Sequence, residues 1–126
     1  MAKITRYISK RLKSFGYAFQ GIRTLIVTQP HAQLHLLATI IVVTGGILVG
    51  LRRWEWMAIM LCIGMVWMAE ALNTALEFLA DEVSLEQRER IGKAKDVAAG
   101  GVLIVAIISV VIAALVFWNH FARLMT

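Results

Sequence analysis

The chain has 126 residues, of which 60% are hydrophobic and 17% are charged. A soluble domain carries about 25% charged and about 45–50% apolar residues, so this apolar excess argues against an ordinary soluble enzyme. The length fits one domain, and a single cysteine excludes an internal disulfide. The formal charge is +5, and no acidic residue precedes Glu55. Beside long apolar segments, this basic bias indicates membrane orientation rather than binding to nucleic acid.

Residues 1–28 are predicted to form an amphipathic helix on the membrane surface. Their apolar residues recur at steps of three and four, with Lys and Arg between them: Ile4, Ile8, Leu12, Phe15, Phe19, Ile22 and Ile26. That period gives one apolar stripe and a basic opposite face, as in a helix that lies in the membrane interface. The helix is expected to end at Gln29, because the residue before a proline disfavours helical backbone.

Three later segments are predicted to cross the membrane as helices, over residues 33–51, 55–80 and 96–119. A crossing takes about 20 apolar residues, and the first and third segments contain long uncharged runs. In the second, only fourteen uncharged residues separate Glu55 from Glu70, so a full crossing must include polar residues further along. Residues 81–95 are predicted to form a loop, in which Ser84 and Gln87 indicate a capping box that opens a short polar helix.

The distribution of basic residues predicts the orientation in the membrane. Three crossings place the amino-terminal helix and the 81–95 loop on the same side. Together these segments hold ten of the thirteen Lys and Arg residues, namely Lys3, Arg6, Lys10, Arg11, Lys13, Arg23, Arg88, Arg90, Lys93 and Lys95. Because the side rich in Lys and Arg is cytoplasmic, we expect a multi-pass protein with a cytoplasmic amino terminus.

The second crossing carries a row of polar side chains. Glu70, Asn73 and Glu77 stand at i, i+3 and i+7, so they share one helix face, which Asp81 extends. Ionised side chains in hydrocarbon cost several kcal/mol, so they are functional candidates by default. The alternative is a set of polar groups that merely joins helices, and it fits a lone Asn better than two carboxylates and an amide in register.

These residues have the types that phosphoryl transfer needs. One carboxylate can bind a hard divalent cation while the other accepts a proton from a substrate hydroxyl. Lys95 at the start of the third crossing offers a cation for phosphate, and Asp96 offers an acceptor for ribose. Taken alone, Lys95 fits a lysine that extends to the membrane surface better. No glycine-rich phosphate loop of either kinase type is present in the sequence.

The stretch Glu70–Ser84, followed by Gly92–Ile104, resembles the prokaryotic diacylglycerol kinase and undecaprenol kinase family. Its E-x-x-N-x-x-x-E and A-K-D motifs stand at the separation expected for that family. Gly16–Arg23 resembles the family's amino-terminal motif, and Trp118–Phe121 resembles its carboxy-terminal end. The resemblance therefore covers nearly the whole chain.

The resemblance implies a homotrimeric lipid kinase of the inner membrane, with active sites shared between neighbouring subunits. It would use ATP and Mg²⁺ to phosphorylate the hydroxyl of diacylglycerol or of undecaprenol. Glu70 would be the general base, Asn73 would orient the polar face, and Glu77 and Gln29 would hold the metal. The residues implied at the nucleotide are Lys10, Tyr17, Gln29, Glu77, Glu86, Gln87, Arg88, Lys95 and Asp96. Those implied at the lipid are Phe19, Arg23, Trp56, Glu70 and Ala99.

Three positions depart from the proteobacterial members of that family. Gln29 stands where they carry a glutamate that binds metal, and Lys10 stands where they carry an arginine. A lysine cannot form the two parallel hydrogen bonds to phosphate that an arginine forms. His35 also replaces a glutamate and resembles the Gram-positive branch, whose substrate is undecaprenol. The sequence thus leaves the choice of lipid open.

Two other classes of function compete with a kinase. A small proton-coupled exporter also uses a glutamate inside the membrane, but such exporters need four crossings and have no use for Lys95 beside Asp96. A non-catalytic membrane adaptor explains the basic surface helix but not the polar row.

His31 and His35, four residues apart, suit histidines at the membrane interface better than a metal pair, because a third ligand is missing.

Overall fold

A computed structural model describes residues 2–84, 86 and 88–124, and its described elements are four helices. They are α1 (Ala2–Thr28), α2 (Pro30–Val49), α3 (Arg53–Val83) and α4 (Glu89–Leu124). Three of them are long and apolar enough to cross a membrane, namely α2, α3 and the Glu89–Ala122 part of α4. The predicted fold class, an all-α membrane protein with three membrane-spanning helices, is confirmed.

Helix α1 leaves its apolar stripe uncovered by the rest of the chain. Leu12, Phe15 and Phe19 are each more than half exposed, whereas Leu25 near the end of the helix is buried. Such a stripe suits a helix that rests its apolar face on lipid. The helix ends at Thr28, and Pro30 begins α2, where its missing N–H costs no hydrogen bond.

The turn between α2 and α3 is tight and depends on two glycines. Gly50 adopts the left-handed conformation with φ 68°, which a residue without Cβ enters at low cost. The next N–H, of Leu51, bonds to the carbonyl of Gly46 at 3.0 Å and closes the end of α2. A Cβ on Gly46 would lie 2.8 Å from Leu51 Cδ1 and 2.9 Å from Trp56 Cη2. The missing side chain therefore allows α2 to approach the start of α3.

Helices α3 and α4 pack antiparallel and give the molecule two distinct ends. At the Glu55 end, Glu55 near the start of α3 contacts His120 near the end of α4. At the Asp81 end, Asp81 near the end of α3 contacts Lys95 near the start of α4. The main apolar cluster lies towards the Glu55 end, where Leu51, Ile59 and Val116 are buried and packed by Trp56 and Phe117.

The connection between α3 and α4 is shorter than the 81–95 loop predicted from the sequence. Helix α3 continues to Val83, and α4 begins at Glu89 as one continuous helix. The first turns of α4 are polar but remain helical, supported by an ion pair from Lys93 to Glu89 four residues earlier. The separate short helix expected here is therefore the start of α4.

The capping box expected for that helix also differs. Ser84 follows the last residue of α3, and its Oγ accepts a hydrogen bond from the Glu86 N–H at 3.1 Å. Its hydroxyl thus supports the turn after α3 instead of opening a new helix. Gln87, the other half of the expected box and an implied nucleotide contact, lies outside the described residues.

Candidate active site

The polar row on α3 is buried where it crosses the middle of the molecule. Glu70, Asn73 and Thr74 are 2%, 6% and 4% exposed, and Glu77 is half-buried. Asn73 Nδ2 donates a hydrogen bond to Glu77 Oε1 at 3.0 Å, which fixes one oxygen of that carboxylate. The predicted row therefore lies on one helix face, as its spacing requires, and Asn73 and Glu77 are bonded to each other.

Two buried atoms on this face have no hydrogen-bond partner within the described residues. They are Asn73 Oδ1 and Thr74 Oγ1. A buried polar atom without a partner costs about 1–3 kcal/mol, and native proteins keep few of them. Because these two atoms lie beside Glu70, this face of α3 is suited to bind a molecule outside this chain. Thr74 was not among the residues singled out from the sequence.

Glu70 borders a cavity between α2, α3 and α4. Its Oε2 lies 3.9 Å from His35 Nε2, and none of the described side chains donates a hydrogen bond to it. His31 and Asn73 line the same cavity together with Ala99, a predicted lipid contact, and other apolar residues of α4. A buried carboxylate that faces a cavity without a bound donor is free to accept a proton.

A second, open cleft lies at the Asp81 end between α3 and α4. Lys95 Nζ donates a hydrogen bond to Asp81 Oδ1, a partner that the sequence did not identify. Three of the residues implied at the nucleotide, Glu86, Arg88 and Lys95, line this cleft, and Asp96 lies one residue further along α4. The structure thus brings these implied residues together on one side of the molecule.

The implied residues on α1 stand apart from this cleft. Lys10, Tyr17, Phe19 and Arg23 are exposed, and within the described part of the chain their side chains form no hydrogen bond or ion pair with α3 or α4. Gln29 follows α1, and its Nε2 donates to Thr28 Oγ1 at 3.2 Å. A single chain therefore does not join α1 to the polar face of α3 through side-chain polar contacts.

Trp56, another residue implied at the lipid, lies at the Glu55 end. It stands fourteen positions before Glu70 on α3, which is about 21 Å along the helix axis. Its ring packs against Gly46 and the apolar cluster around Leu51. Within one chain, Trp56 contributes to the core rather than to the surroundings of Glu70.

A buried contact between Glu55 and His120 lies at the Glu55 end and was not predicted from the sequence. Glu55 is 3% exposed, accepts the Arg52 N–H at 2.7 Å and lies 3.0 Å from His120 Nε2. The first contact has a local signal, because an acid at the third position of a helix often bonds back to the residue before the helix. The contact with His120 has no local signal in the sequence, because His120 stands 65 positions after Glu55.

Comparison with known proteins identifies the family to which this chain belongs. The sequence profile of the family named prokaryotic diacylglycerol kinase matches residues 16–117, which include the second half of α1, all of α2 and α3 and most of α4. This chain belongs to that family, and it is a membrane lipid kinase.

Curated relatives carry two names. An undecaprenol kinase of Bacillus subtilis strain 168 is 38% identical over 110 residues, which cover 87% of this chain and 89% of the relative. A diacylglycerol kinase of Escherichia coli strain K12 is 26% identical over 121 residues, which cover 96% and 99%. A diacylglycerol kinase of Synechocystis is 34% identical over 102 residues, which cover 80% and 58%. These relatives confirm the resemblance and lipid phosphorylation, and they do not favour an exporter or an adaptor.

The family implies a divalent metal with ATP, and the side chains present are compatible with one. No group of three or more His, Cys, Asp or Glu residues able to hold a metal occurs among the described residues. Mg²⁺ does not require such a group, because it is usually held by one or two carboxylates with substrate phosphates and water. Glu77 supplies a carboxylate whose Oε2 has no partner among the described residues, and Gln29 supplies an amide oxygen.

Proposed function

We propose that Glu70 is the general base with which this chain phosphorylates a membrane lipid. The observation that carries the proposal is a carboxylate that is 2% exposed, borders a cavity and accepts no hydrogen bond from the described residues. Glu70 takes the proton of the lipid hydroxyl while the oxygen of that hydroxyl attacks the γ-phosphorus of ATP. Asn73 holds the neighbouring Glu77 and keeps the polar face in order.

The proposal assigns Mg²⁺ to Glu77 and Gln29 together with the phosphates of ATP. When bound, the metal neutralises charge on those phosphates. Asn73 fixes Oε1 of Glu77, so that carboxylate keeps one orientation with its other oxygen free. Gln29 contributes a neutral oxygen, which a hard cation binds less strongly than a carboxylate.

The nucleotide occupies the cleft at the Asp81 end in this proposal. Lys95 leaves Asp81 to bind phosphate, and Asp96 accepts from the ribose, with Glu86 and Arg88 at the rim. Lys10, Tyr17 and Gln87 complete the set that the family resemblance implies. The lipid lies along α1 and the membrane face, beside Phe19, Arg23, Trp56 and Ala99.

We propose a homotrimer with shared sites, because α1 carries implied ATP contacts that form no polar contact with α3 of the same chain. A neighbouring subunit would bring α1 of one chain to α3 of another. Chemical cross-linking in detergent tests this, and cross-linked products no larger than a monomer would contradict it.

The proposed location is the inner membrane, with α1 and the Asp81 end in the cytoplasm. The support is the uneven distribution of Lys and Arg. In a Cys62→Ala background, a cysteine at Ser14 should be protected in intact cells from a thiol reagent that cannot cross membranes. A cysteine at Arg53 should react. The opposite labelling pattern would invert the orientation.

The function is tested by supplying the purified protein in detergent with ATP, Mg²⁺ and one lipid at a time. Diacylglycerol and undecaprenol are the two candidates, because each offers a hydroxyl and the relatives carry both names. The expected result is transfer of γ-phosphate to at least one lipid, and the ratio of kcat/KM values identifies the preferred one. ATP consumption that leaves both lipids unphosphorylated would contradict the proposal.

The metal assignment is tested by titrating magnesium against activity at saturating ATP and lipid. Gln29→Glu adds a charged oxygen, so the magnesium needed for half-maximal activity should fall. Gln29→Ala removes the ligand, so that concentration should rise. Superimposable titrations of both variants and the unmodified protein would exclude Gln29 from the metal site.

A further inference from the structure

Among the described residues, the basic side chain that lies within 4 Å of the buried Glu70 carboxylate is His35 on α2. The two side chains are 3% and 21% exposed, and His35 Nε2 lies 3.9 Å from Glu70 Oε2. This distance is too long for a hydrogen bond. It leaves the Glu70 carboxylate without a direct hydrogen bond from His35. A proton that arrives on Glu70 can then form an O–H···N bond to His35, because contacts of this kind often tighten only during the reaction.

A hydrogen-bonded chain holds His35 in register with Glu70. The backbone carbonyl of His35 accepts the Thr39 hydroxyl at 2.7 Å, and Thr39 Oγ1 accepts the indole N–H of Trp67 at 3.1 Å. Trp67 lies on α3, three residues before Glu70. The link therefore ties α2 to α3 within one turn of the pair and opposes sliding of one helix along the other.

Few other ionisable groups face this pair. The cavity that both residues line receives Ala99, Leu103 and Ala106 from α4, and the described residues of α4 place no ionisable side chain in it. Helix α2 adds His31, one turn before His35, and α3 adds Asn73, which is not ionisable. His35 also lines a second cavity, to which α3 adds Cys62. Among the described residues, His35 is the basic side chain within 4 Å of the Glu70 carboxylate and is placed to exchange a proton with it.

We propose that His35 is a positioning and proton-accepting residue that acts through Glu70. This rests on the proposed function, in which Glu70 is the base. The lipid oxygen forms a bond to the γ-phosphorus of ATP, and the bond from that phosphorus to the β–γ bridging oxygen breaks to release ADP. The hydroxyl proton passes to Glu70 and then to His35 Nε2, since an imidazole ordinarily binds a proton more tightly than a carboxylate does. Glu70 is thereby returned to its ionised form, and His35, whose side chain is 21% exposed, releases the proton to solvent before the next turnover.

The first test compares two substitutions of His35. His35→Gln keeps a polar side chain of similar reach but cannot accept the proton, and His35→Ala also removes the bulk. Both should lower kcat by about tenfold to a hundredfold, below or at the lower end of the effect of a primary acid or base. The KM values for ATP and lipid should stay unchanged, because the side chain is not assigned to either substrate. Full kcat in both variants would overturn the proposal.

The second test adds free imidazole to the His35→Ala protein. Imidazole should restore part of the lost kcat, and the gain should grow as the pH rises through neutrality because only the unprotonated ring accepts a proton. The matched control is His31→Ala, whose ring lines the same cavity but is not in contact with Glu70. Whatever its own rate, it should gain nothing from imidazole. No gain for His35→Ala, or equal gains for both variants, would show a merely structural role.

Glu70→Gln, assayed in parallel, separates the two proposals. If Glu70→Gln keeps near-normal turnover, the base assignment is wrong, and the role of His35 is wrong with it. If Glu70→Gln is inactive while the His35 variants keep full turnover or do not respond to imidazole, only the inference about His35 is wrong.

Discussion

Helix α3 carries two buried carboxylates that differ in their partners rather than in their burial. Glu55 and Glu70 are 3% and 2% exposed. Glu55 accepts the Arg52 N–H at 2.7 Å and contacts His120 at 3.0 Å, whereas Glu70 accepts no hydrogen bond from the described residues and lies 3.9 Å from His35. Burial alone therefore does not identify the reactive group, and the state of its hydrogen bonds does.

Glu55 and Glu70 have different partners because they occupy different positions in α3. Glu55 lies in the first turn of α3, where a negative charge is favourable and an N–H without a helical partner is available. Its bond to His120 also joins the start of α3 to the end of α4, so its partners are structural. Glu70 lies mid-helix, where every backbone N–H is already bonded within the helix, and it depends on other helices or on a ligand for partners.

The largest effect we expect separates these two carboxylates directly. Glu70→Gln keeps the shape but removes the proton acceptor, so kcat should fall by about 10²–10⁴-fold while ATP binding survives. Glu55→Gln should keep the turnover of the folded protein but lower its thermal midpoint in detergent, because it weakens the bond to His120. Steady-state kinetics and thermal unfolding of both variants make the comparison. Similar losses of kcat in both variants would contradict the assignment of Glu70 as the reactive carboxylate and Glu55 as a structural one.

A smaller effect is expected at the Asp81 end from two lysines on α4. Lys95→Ala removes the cation assigned to phosphate and should raise the KM for ATP by roughly tenfold to a hundredfold, as expected for a hydrogen bond between charged groups. Lys93→Ala is the matched control, since Lys93 is exposed and its partner among the described residues is Glu89 on the same helix. The KM of the Lys93→Ala protein for ATP should change little. Equal shifts for the two lysines would mean that general charge, rather than a defined phosphate contact, controls nucleotide binding.

The smallest effect concerns packing at the Glu55 end. Gly46→Ala would place a Cβ 2.8 Å from Leu51 Cδ1 and should destabilise the protein by about 1–3 kcal/mol through overpacking. Gly64→Ala is the control, because a Cβ there meets nothing within 4 Å. It should stabilise α3 by roughly 0.5–1 kcal/mol, the usual gain from replacing a helical glycine. Denaturant unfolding in detergent measures both, and a Gly46→Ala protein as stable as the unmodified one would contradict the close approach of α2.

The sequence alone determined the features that depend on neighbours along the chain. Apolar runs and the spacing of apolar residues gave the four helices, because helical hydrogen bonds and amphipathic faces are local. The i, i+3 and i+7 spacing placed Glu70, Asn73 and Glu77 on one face, and Asn73 does bond to Glu77. The exception is the 81–95 segment, for which the sequence predicts a loop with a separate short helix, whereas its polar residues from Glu89 onwards continue directly into α4.

Only the tertiary structure decided which of these side chains have partners. Lys95 finds Asp81 fourteen residues away, His35 faces Glu70 on another helix, and His120 pairs with Glu55 across the bundle. Spacing along the chain carries no signal for such pairs, because they depend on how α2 and α4 pack against α3. The sequence therefore predicted that α3 bears the reactive face, and the packing of the helices decided which of its carboxylates remains free to react.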